Sequence, residues 1–201
     1  MFVEPALIQQ QKSELRRMLR ERRRQLDAEN RDLMNKALNL RLQKRFQSIA
    51  PCGVAAYLAF DGEPDISPSF LALQQAGFQL ALPFIERNSS SKHMIFRRWT
   101  PSDELAKNNL GFSEPSGGDE VAPSELGAIL MSLVGWDTSG ARLGMGAGYY
   151  DRTLEDIRAR ATPLRIGIAF DVQQSDQIPV DPHDVPLHEL ITDRQRFTFP
   201  A

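Results

Sequence analysis

The fold of this chain is decided by one stretch, which reads Arg142-Leu143-Gly144-Met145-Gly146-Ala147-Gly148-Tyr149-Tyr150-Asp151-Arg152-Thr153-Leu154. An uncharged apolar run at residues 128–134 precedes it and is typical of a buried strand. Residues 149–158 have helical character, because Tyr150, Leu154 and Ile157 share one helical face. The sequence therefore predicts a strand, then a loop of alternating glycines, then a helix.

Such a loop has a chemical use. Glycines permit positive φ and close approach of the backbone to a ligand, and the free N–H groups at a helix start bind anions. Arg142 stands before the glycines and Asp151 follows them, which indicates a nucleotide with Mg²⁺. The spacing is neither a Walker loop nor a dinucleotide fingerprint, because Tyr149 stands where the third glycine of the latter belongs. From the glycine spacing alone, a ligand loop and a tight strand-to-helix turn are equally supported.

Composition narrows the class of protein. The chain has 201 residues, of which 41% are hydrophobic, enough for the core of one domain. A net charge of -2 does not favour nucleic acid, and no apolar run approaches the roughly 20 residues of a membrane span. The single cysteine excludes an intramolecular disulfide, and the three histidines lack the spacing of a zinc site. We therefore expect a soluble cytoplasmic protein without a nucleic-acid or membrane partner.

Two helices are predicted at the N-terminal end. In residues 10–26 a leucine stripe is flanked by a basic stripe, turned by about 90°, that contains Lys12, Arg16, Arg20 and Arg23. A basic stripe of this kind borders a cleft, forms a solvated face or binds nucleic acid, and the last alternative lacks interleaved aromatic residues. A second helix, over residues 28–47, is predicted to cover a sheet with Leu33, Ala37, Leu40 and Phe46.

Apolar runs predict the strands. They lie at residues 53–60, 78–84, 93–99, 128–134, 164–170 and 190–193, with a helix beginning at Ser67-Pro68 and a loop over 86–92. This order predicts a single α/β domain, a Rossmann-like three-layer fold whose mainly parallel central sheet has helices on both faces. Ligands bind beyond the carboxyl ends of such strands, so Glu63 is a candidate substrate contact. An ordinary turn acid is an equally supported reading of Glu63.

Residues 142–151, which read R-x-G-x-G-x-G-Y-Y-D, resemble the signature of 5-formyltetrahydrofolate cyclo-ligases, also called methenyltetrahydrofolate synthetases. The segments 133–140, 108–115 and 178–185 also look like theirs. The resemblance extends from Lys12 to about Asp193 and implies one cyclo-ligase domain over residues 1–201. Ala147 fills a slot that is often glycine or lysine in relatives, so a lysine charge is missing there.

The resemblance implies an ATP- and Mg²⁺-dependent ring closure of 5-formyltetrahydrofolate to 5,10-methenyltetrahydrofolate in one-carbon metabolism, with release of ADP and phosphate. It implies catalytic contacts by Arg142 and Tyr150. The implied ATP contacts are Lys12, Arg16, Arg142, Leu143, Gly144, Met145, Gly146, Ala147, Gly148, Tyr149 and Tyr150. The implied folate contacts are Leu58, Glu63, Met145, Gly146, Ala147, Gly148 and Tyr149. Asp151 and Asp184 are the implied metal ligands, with Asp181 as the alternative to Asp184.

The expected substrate is a small molecule, with or without a polyglutamate tail, and the protein is expected to be a monomer. Two other functions fit the same elements. One is a non-enzymatic nucleotide- or RNA-binding module that uses the basic helix. The other is a sugar-phosphate isomerase or CoA-transferase-like enzyme of similar layout, because fold analogy alone does not separate such enzymes.

Overall fold

A mixed sheet of eight strands organises the computed structural model, which describes residues 5–85 and 93–200. The strands in chain order are β1 (Gly53–Ala55), β2 (Gln79–Phe84), β3 (Ile95–Arg98), β4 (Leu105–Lys107), β5 (Ser113–Pro115), β6 (Glu120–Val121), β7 (Leu126–Ser132), β8 (Gly135–Trp136), β9 (Arg142–Leu143), β10 (Leu164–Ile168), β11 (Glu189–Ile191) and β12 (Arg196–Thr198). The α-helices are α1 (Pro5–Arg24), α2 (Ala28–Phe46), α3 (Phe70–Gln75) and α4 (Tyr149–Thr153). The predicted loop over 86–92 lies outside the described residues.

The order of the large sheet is β12-β11-β10-β7-β1-β2-β3-β6. Its five central strands, from β11 to β2, are parallel, and β12, β3 and β6 add antiparallel edges. From β1 the chain moves to β2 on one side and later returns to β7 on the other side. Because the direction of winding reverses between β1 and β7, a crevice is expected at their carboxyl ends.

Helices and loops cover both faces of the sheet. On one face, α2 and α3 contribute Leu38, Leu42 and Phe70 to a core with Val54 and Leu130. On the other face, residues of α4 and of the following turn, together with C-terminal loops, pack against the sheet. Helix α1 lies beside the β8–β9 hairpin, where Leu19 packs against Val134, Leu143 and Ile178. The predicted mainly parallel α/β fold is confirmed, and no helix in the described ranges has the length and apolarity to cross a bilayer.

Several local predictions differ from the structure. The predicted strand over 53–60 ends at Ala55, because the chain then leaves the sheet toward a turn that Tyr57 ties down by donating to the carbonyl of Pro64 at 2.8 Å. Leu33 and Leu40 were predicted to cover the sheet but are 57% and 68% exposed. At about 100° per residue, Leu33 lies about 140° and Leu40 about 160° around α2 from the buried Leu38. Strand β12 was missed, because its three residues are too short to carry a period.

Candidate functional site

A cavity of about 710 Å³ opens at the carboxyl ends of the central strands. Tyr57 follows β1, Ile85 follows β2 and Ser132 ends β7, and all three line it. The cavity therefore lies where the strand order places the crevice. Every residue that the sequence assigned to ATP, folate or metal also lines it, namely Lys12, Arg16, Leu58, Glu63, Arg142, Leu143, Gly144, Met145, Gly146, Ala147, Gly148, Tyr149, Tyr150, Asp151, Asp184 and the alternative Asp181.

The glycine loop connects β9 to α4 along one wall of this cavity. Gly146 and Gly148 have φ of +101° and +73°, a region that side chains rarely adopt. A Cβ on Gly146 would lie 3.3 Å from Cζ of Arg16, whereas a Cβ on Gly144 would have only an ordinary contact at 3.7 Å. The backbone conformation therefore requires glycine at two of the three positions, and the absence of side chains at the glycines leaves their backbone open to the cavity.

Arg142, at the start of the loop, contacts Asp151, which follows the end of the loop. Its Nε donates to the carbonyl of Val185 at 3.0 Å, and its guanidinium pairs with the carboxylate of Asp151. The same carboxylate oxygen accepts from the N–H of Val185 at 2.9 Å. This network joins the start of the loop, the first turn of α4 and the segment that carries Asp184. It also places the Arg142 guanidinium 6.0 Å from the ring centre of Tyr150.

The first half of α1 approaches the loop from the other side. The buried Lys12 ammonium pairs with Asp184 at 2.6 Å, and Nε of Arg16 donates to the carbonyl of Gly144 at 2.9 Å. Burial lowers the pKa of Arg16, and the nearby charge of Asp184 partly opposes that shift. Asp181 instead accepts from the N–H of His183 in its own turn. The basic stripe at this end of the helix therefore faces the cavity and not solvent.

Two carboxylates are available for a metal at this wall. Asp151 and Asp184 each hold a cation, Arg142 and Lys12 respectively. Within residues 5–85 and 93–200 no three His, Cys, Asp or Glu side chains are arranged to hold a metal. Mg²⁺ is commonly bound by one or two carboxylates together with phosphate oxygens and water. The pair therefore fits a Mg²⁺ that arrives with a nucleotide better than a preformed metal centre.

The opposite wall carries Glu63, in a turn that follows β1. Its Oε2 accepts from the N–H of Phe60 at 3.1 Å. Burial raises the pKa of Glu63, and the Phe60 hydrogen bond, the Arg23 charge and a hydrogen bond with Ser132 oppose that rise. Burial and the neighbouring Glu63 also raise the pKa of the Tyr150 hydroxyl above its ordinary value. This wall thus combines one acid and a tyrosine that stays protonated.

The second half of the basic stripe forms ion pairs within the protein. The sequence alone assigned these arginines no role. Arg20, Arg23 and Arg24 all hold Asp61, in the turn before Glu63. Nη2 of Arg23 also donates to the Asp61 carbonyl at 2.8 Å, and Arg31 donates to the Gly62 carbonyl at 2.8 Å. Burial pushes the pKa of Asp61 upward, but hydrogen bonds from Arg24 and Arg20 outweigh it and lower that pKa. The turn-forming Asp-Gly pair was the only sequence signal for this cluster.

A small hairpin adds lining residues that sequence reasoning left without a role. The β4–β5 hairpin contributes Leu110, Phe112 and Glu114 to the cavity. The buried Glu114 accepts from the N–H of Ile85 at 2.9 Å, and Phe112 meets Phe60 edge-on at 4.7 Å between ring centres. Arg152 is a further lining residue that was given no role, although it stands within the quoted stretch.

Comparison with known proteins leads to one family. The sequence profile of the 5-formyltetrahydrofolate cyclo-ligase family matches residues 8–193. The 5-formyltetrahydrofolate cyclo-ligase of Escherichia coli (strain K12) is 34% identical over 177 residues, which cover 87% of this chain and 96% of that protein. The enzyme of the same name from Mus musculus is 32% identical over 187 residues, which cover 88% of this chain and 91% of that protein.

Solved structures agree with this result. The NMR structure of Aquifex aeolicus 5,10-methenyltetrahydrofolate synthetase is similar with a TM-score of 0.78 and 27% identity, covering 94% of this chain and 93% of that one. A 5,10-methenyltetrahydrofolate synthetase from Mycoplasma pneumoniae has a TM-score of 0.74 at 24% identity, covering 90% of this chain and 98% of that one. The second likeness is one of fold alone.

Proposed function

This chain belongs to the 5-formyltetrahydrofolate cyclo-ligase family, and from that premise we propose that it converts 5-formyltetrahydrofolate to 5,10-methenyltetrahydrofolate with ATP and Mg²⁺. The observation that carries the proposal is that four separate segments meet at one cavity. They are the first half of α1, the turn with Glu63, the glycine loop and the segment with Asp184. We further propose that the substrate is bound as a free small molecule and that the protein acts as a monomer.

The reaction needs activation because the formyl oxygen of an amide is a poor leaving group. In the proposed sequence this oxygen attacks the γ-phosphorus of ATP, and ADP leaves. The N10 nitrogen then attacks the formyl carbon and closes the ring, with loss of its proton. The carbon–oxygen bond breaks and phosphate departs with the former formyl oxygen. Since no protein nucleophile is needed, the enzyme contributes positioning and charge stabilisation.

The nucleotide wall has the composition that this chemistry requires. Lys12, Arg16, Arg142 and the loop amides are positioned to bind phosphate oxygens. When bound, Mg²⁺ supplies neutralisation of phosphate charge as a Lewis acid. Asp151 and Asp184 would hold it. In both the Lys12–Asp184 and Arg142–Asp151 pairs, a cation that suits phosphate stands beside a carboxylate that suits the metal.

The other wall fits a reduced folate. Glu63 is partly buried and can accept hydrogen bonds from N–H groups of the pterin, and Leu58 offers an apolar contact beside it. Met145 to Tyr149 line the same cavity, and we propose that they contact both ligands. Tyr150 lines the same cavity as Glu63, and its ring centre is 6.0 Å from Cζ of Arg142. We propose that Arg142 and Tyr150 contact the reacting groups.

The test is an assay of methenyl product formation from 5-formyltetrahydrofolate. The near-ultraviolet absorbance of the product is measured with and without ATP. We expect an absorbance increase that needs both ATP and Mg²⁺, together with one ADP for each product. A binding module or a sugar-phosphate isomerase would give no such increase. Failure to observe ATP-dependent product with the purified protein would therefore overturn the proposal.

A further inference from the structure

Four cations line the cavity, and they differ in their partners. Lys12 and Arg142 are paired with the carboxylates of Asp184 and Asp151. Arg16 and Arg152 instead donate to backbone carbonyls, those of Gly144 at 2.9 Å and Ala147 at 2.7 Å. Among the described residues no carboxylate oxygen lies within 4.0 Å of either guanidinium. These two arginines are therefore the cations of the group that are not directly paired with a carboxylate.

Arg152 lies in α4, directly after the loop, and its side chain turns back over it. Its Nη1 is only 2.7 Å from the point where a Cβ on Gly148 would stand. Arg16 has the equivalent relation to Gly146 from the opposite element, α1. Both side chains line the cavity. The loop is therefore bracketed by one guanidinium from each side.

The loop itself carries no charge between its first and last glycine, because its two side chains there belong to Met145 and Ala147. The Arg152 guanidinium places a positive charge at this part of the loop, because it donates to the backbone carbonyl of Ala147. Arginine has five N–H donors, and the recorded contact of Arg152 uses one of them. The remaining donors form a planar fork that suits phosphate oxygens.

We infer that Arg152 is a phosphate-binding residue, which grips the nucleotide's phosphate chain together with Arg16 and supplies from α4 the cation that the loop lacks. This inference rests on the proposed function, because it requires a triphosphate in the cavity. The competing explanation is purely structural: Arg152 would only cap the Ala147 carbonyl and hold the loop in shape. The two explanations differ in whether the charge matters.

The experiment measures equilibrium binding of a non-hydrolysable ATP analogue with Mg²⁺, and of 5-formyltetrahydrofolate, to the full chain. Arg152→Ala is expected to weaken analogue binding by about tenfold to a hundredfold and to leave folate binding nearly unchanged. Arg160→Ala is the matched control, because it removes the same charge from an exposed position that does not line the cavity. It should bind both ligands like the wild type.

A second variant separates charge from shape. Ala147 is exposed on the cavity side and has no positive φ, so its backbone accepts a lysine. In the Arg152→Ala background, Ala147→Lys returns a cation to the loop without restoring the contact with the Ala147 carbonyl. Recovery of about tenfold in analogue affinity is therefore expected if charge is what Arg152 supplies.

Two results would overturn the inference. One is wild-type analogue affinity in Arg152→Ala. The other is an equal loss of both ligands with a lowered thermal midpoint that Ala147→Lys does not recover, which indicates a structural cap. Either result leaves the proposed function intact when the wild type still forms product with ATP. An inactive wild type would instead overturn the proposed function itself.

Discussion

The two halves of α1 carry the same kind of side chain but use it differently. Lys12 and Arg16 face the cavity, where their partners are a carboxylate and a carbonyl of the ligand-facing wall. One to three turns later, Arg20, Arg23 and Arg24 converge on Asp61. The first group lies at the cavity, where a phosphate could replace its partners. The second group pairs with Asp61 and holds a turn of the protein in place. Position relative to the rest of the fold, and not residue type, separates a cation that faces the cavity from a structural one.

The second half also connects the two walls of the cavity. Arg23 is fully buried and donates to the carbonyl of Leu133 at 3.2 Å as well as to Asp61. Asp61 has φ of +51°, an uncommon value for a residue other than glycine, and its turn leads directly to Glu63. Helix α1 therefore contacts the glycine loop through Arg16 and fixes the Glu63 turn through Arg23.

The largest effect is expected at the loop that the first half of α1 contacts. Gly146→Val should lower kcat/KM by about a thousandfold, because the side chain blocks backbone approach to phosphate and disfavours the positive φ. Gly144→Ala is the matched control, since its Cβ has only an ordinary contact at 3.7 Å. It should retain most activity. Steady-state kinetics and thermal midpoints of both variants check this, and equal losses in the two would contradict the proposed cradle.

The next effect concerns the second half of α1. Arg23→Met should lower the free energy of unfolding by about 3 kcal/mol, because a buried cation is removed from two carbonyls and a carboxylate. Arg24→Met removes an exposed partner of the same Asp61 and should cost less than about 1 kcal/mol. Urea unfolding measures both. If Arg24→Met proved the more destabilising variant, the Asp61 cluster would not depend on the buried arginine.

The metal assignment gives an intermediate effect. Asp151→Asn and Asp184→Asn should each raise the Mg²⁺ concentration for half-maximal rate by about tenfold, since a charged hard ligand is lost. Asp181→Asn is the neighbouring control, because Asp181 accepts from the N–H of His183 in its own turn. It should change that concentration little. A larger defect at Asp181 than at Asp184 would reverse the assignment.

An effect of about the same size distinguishes the two walls of the cavity. Glu63→Gln should weaken 5-formyltetrahydrofolate binding by roughly tenfold, the lower end expected for a charge-assisted hydrogen bond, and leave an ATP analogue unaffected. Arg16→Ala and Arg142→Ala should show the opposite pattern. Equilibrium binding of both ligands to each variant tests this. Unchanged folate affinity in Glu63→Gln would make Glu63 an ordinary turn acid.

We also expect the folate affinity of the wild type, relative to that of Glu63→Gln, to depend on pH. Because burial raises the pKa of Glu63, its carboxylate takes up a proton at a higher pH than an ordinary glutamate does. The advantage of the wild type over Glu63→Gln in folate affinity should be largest above that raised pKa. This advantage should shrink as the pH falls through the raised pKa, because a protonated Glu63 is as uncharged as glutamine. A ratio of affinities that stays constant with pH would contradict a bound carboxylate.

The amino-acid sequence by itself determined the features that neighbours along the chain control. Buried parallel strands appear as continuous apolar runs, and a loop that needs positive φ appears as alternating glycines. These signals were sufficient for the fold class, which is confirmed, and the quoted stretch indicated the family, which is also confirmed. They also selected residues that the fold brings to one cavity, although the roles of those residues stay predictions.

Only the tertiary structure decided which charges face the cavity and which hold the fold. Arg16 and Arg23 lie on one predicted stripe, and nothing within the helix distinguishes them. Arg23 is structural because Asp61 and the Leu133 carbonyl stand opposite it, and Arg152 reaches the loop because its side chain turns back from α4. The physical reason is that the partner of a charge comes from a distant segment, and pairing depends on distances through space that no local period records.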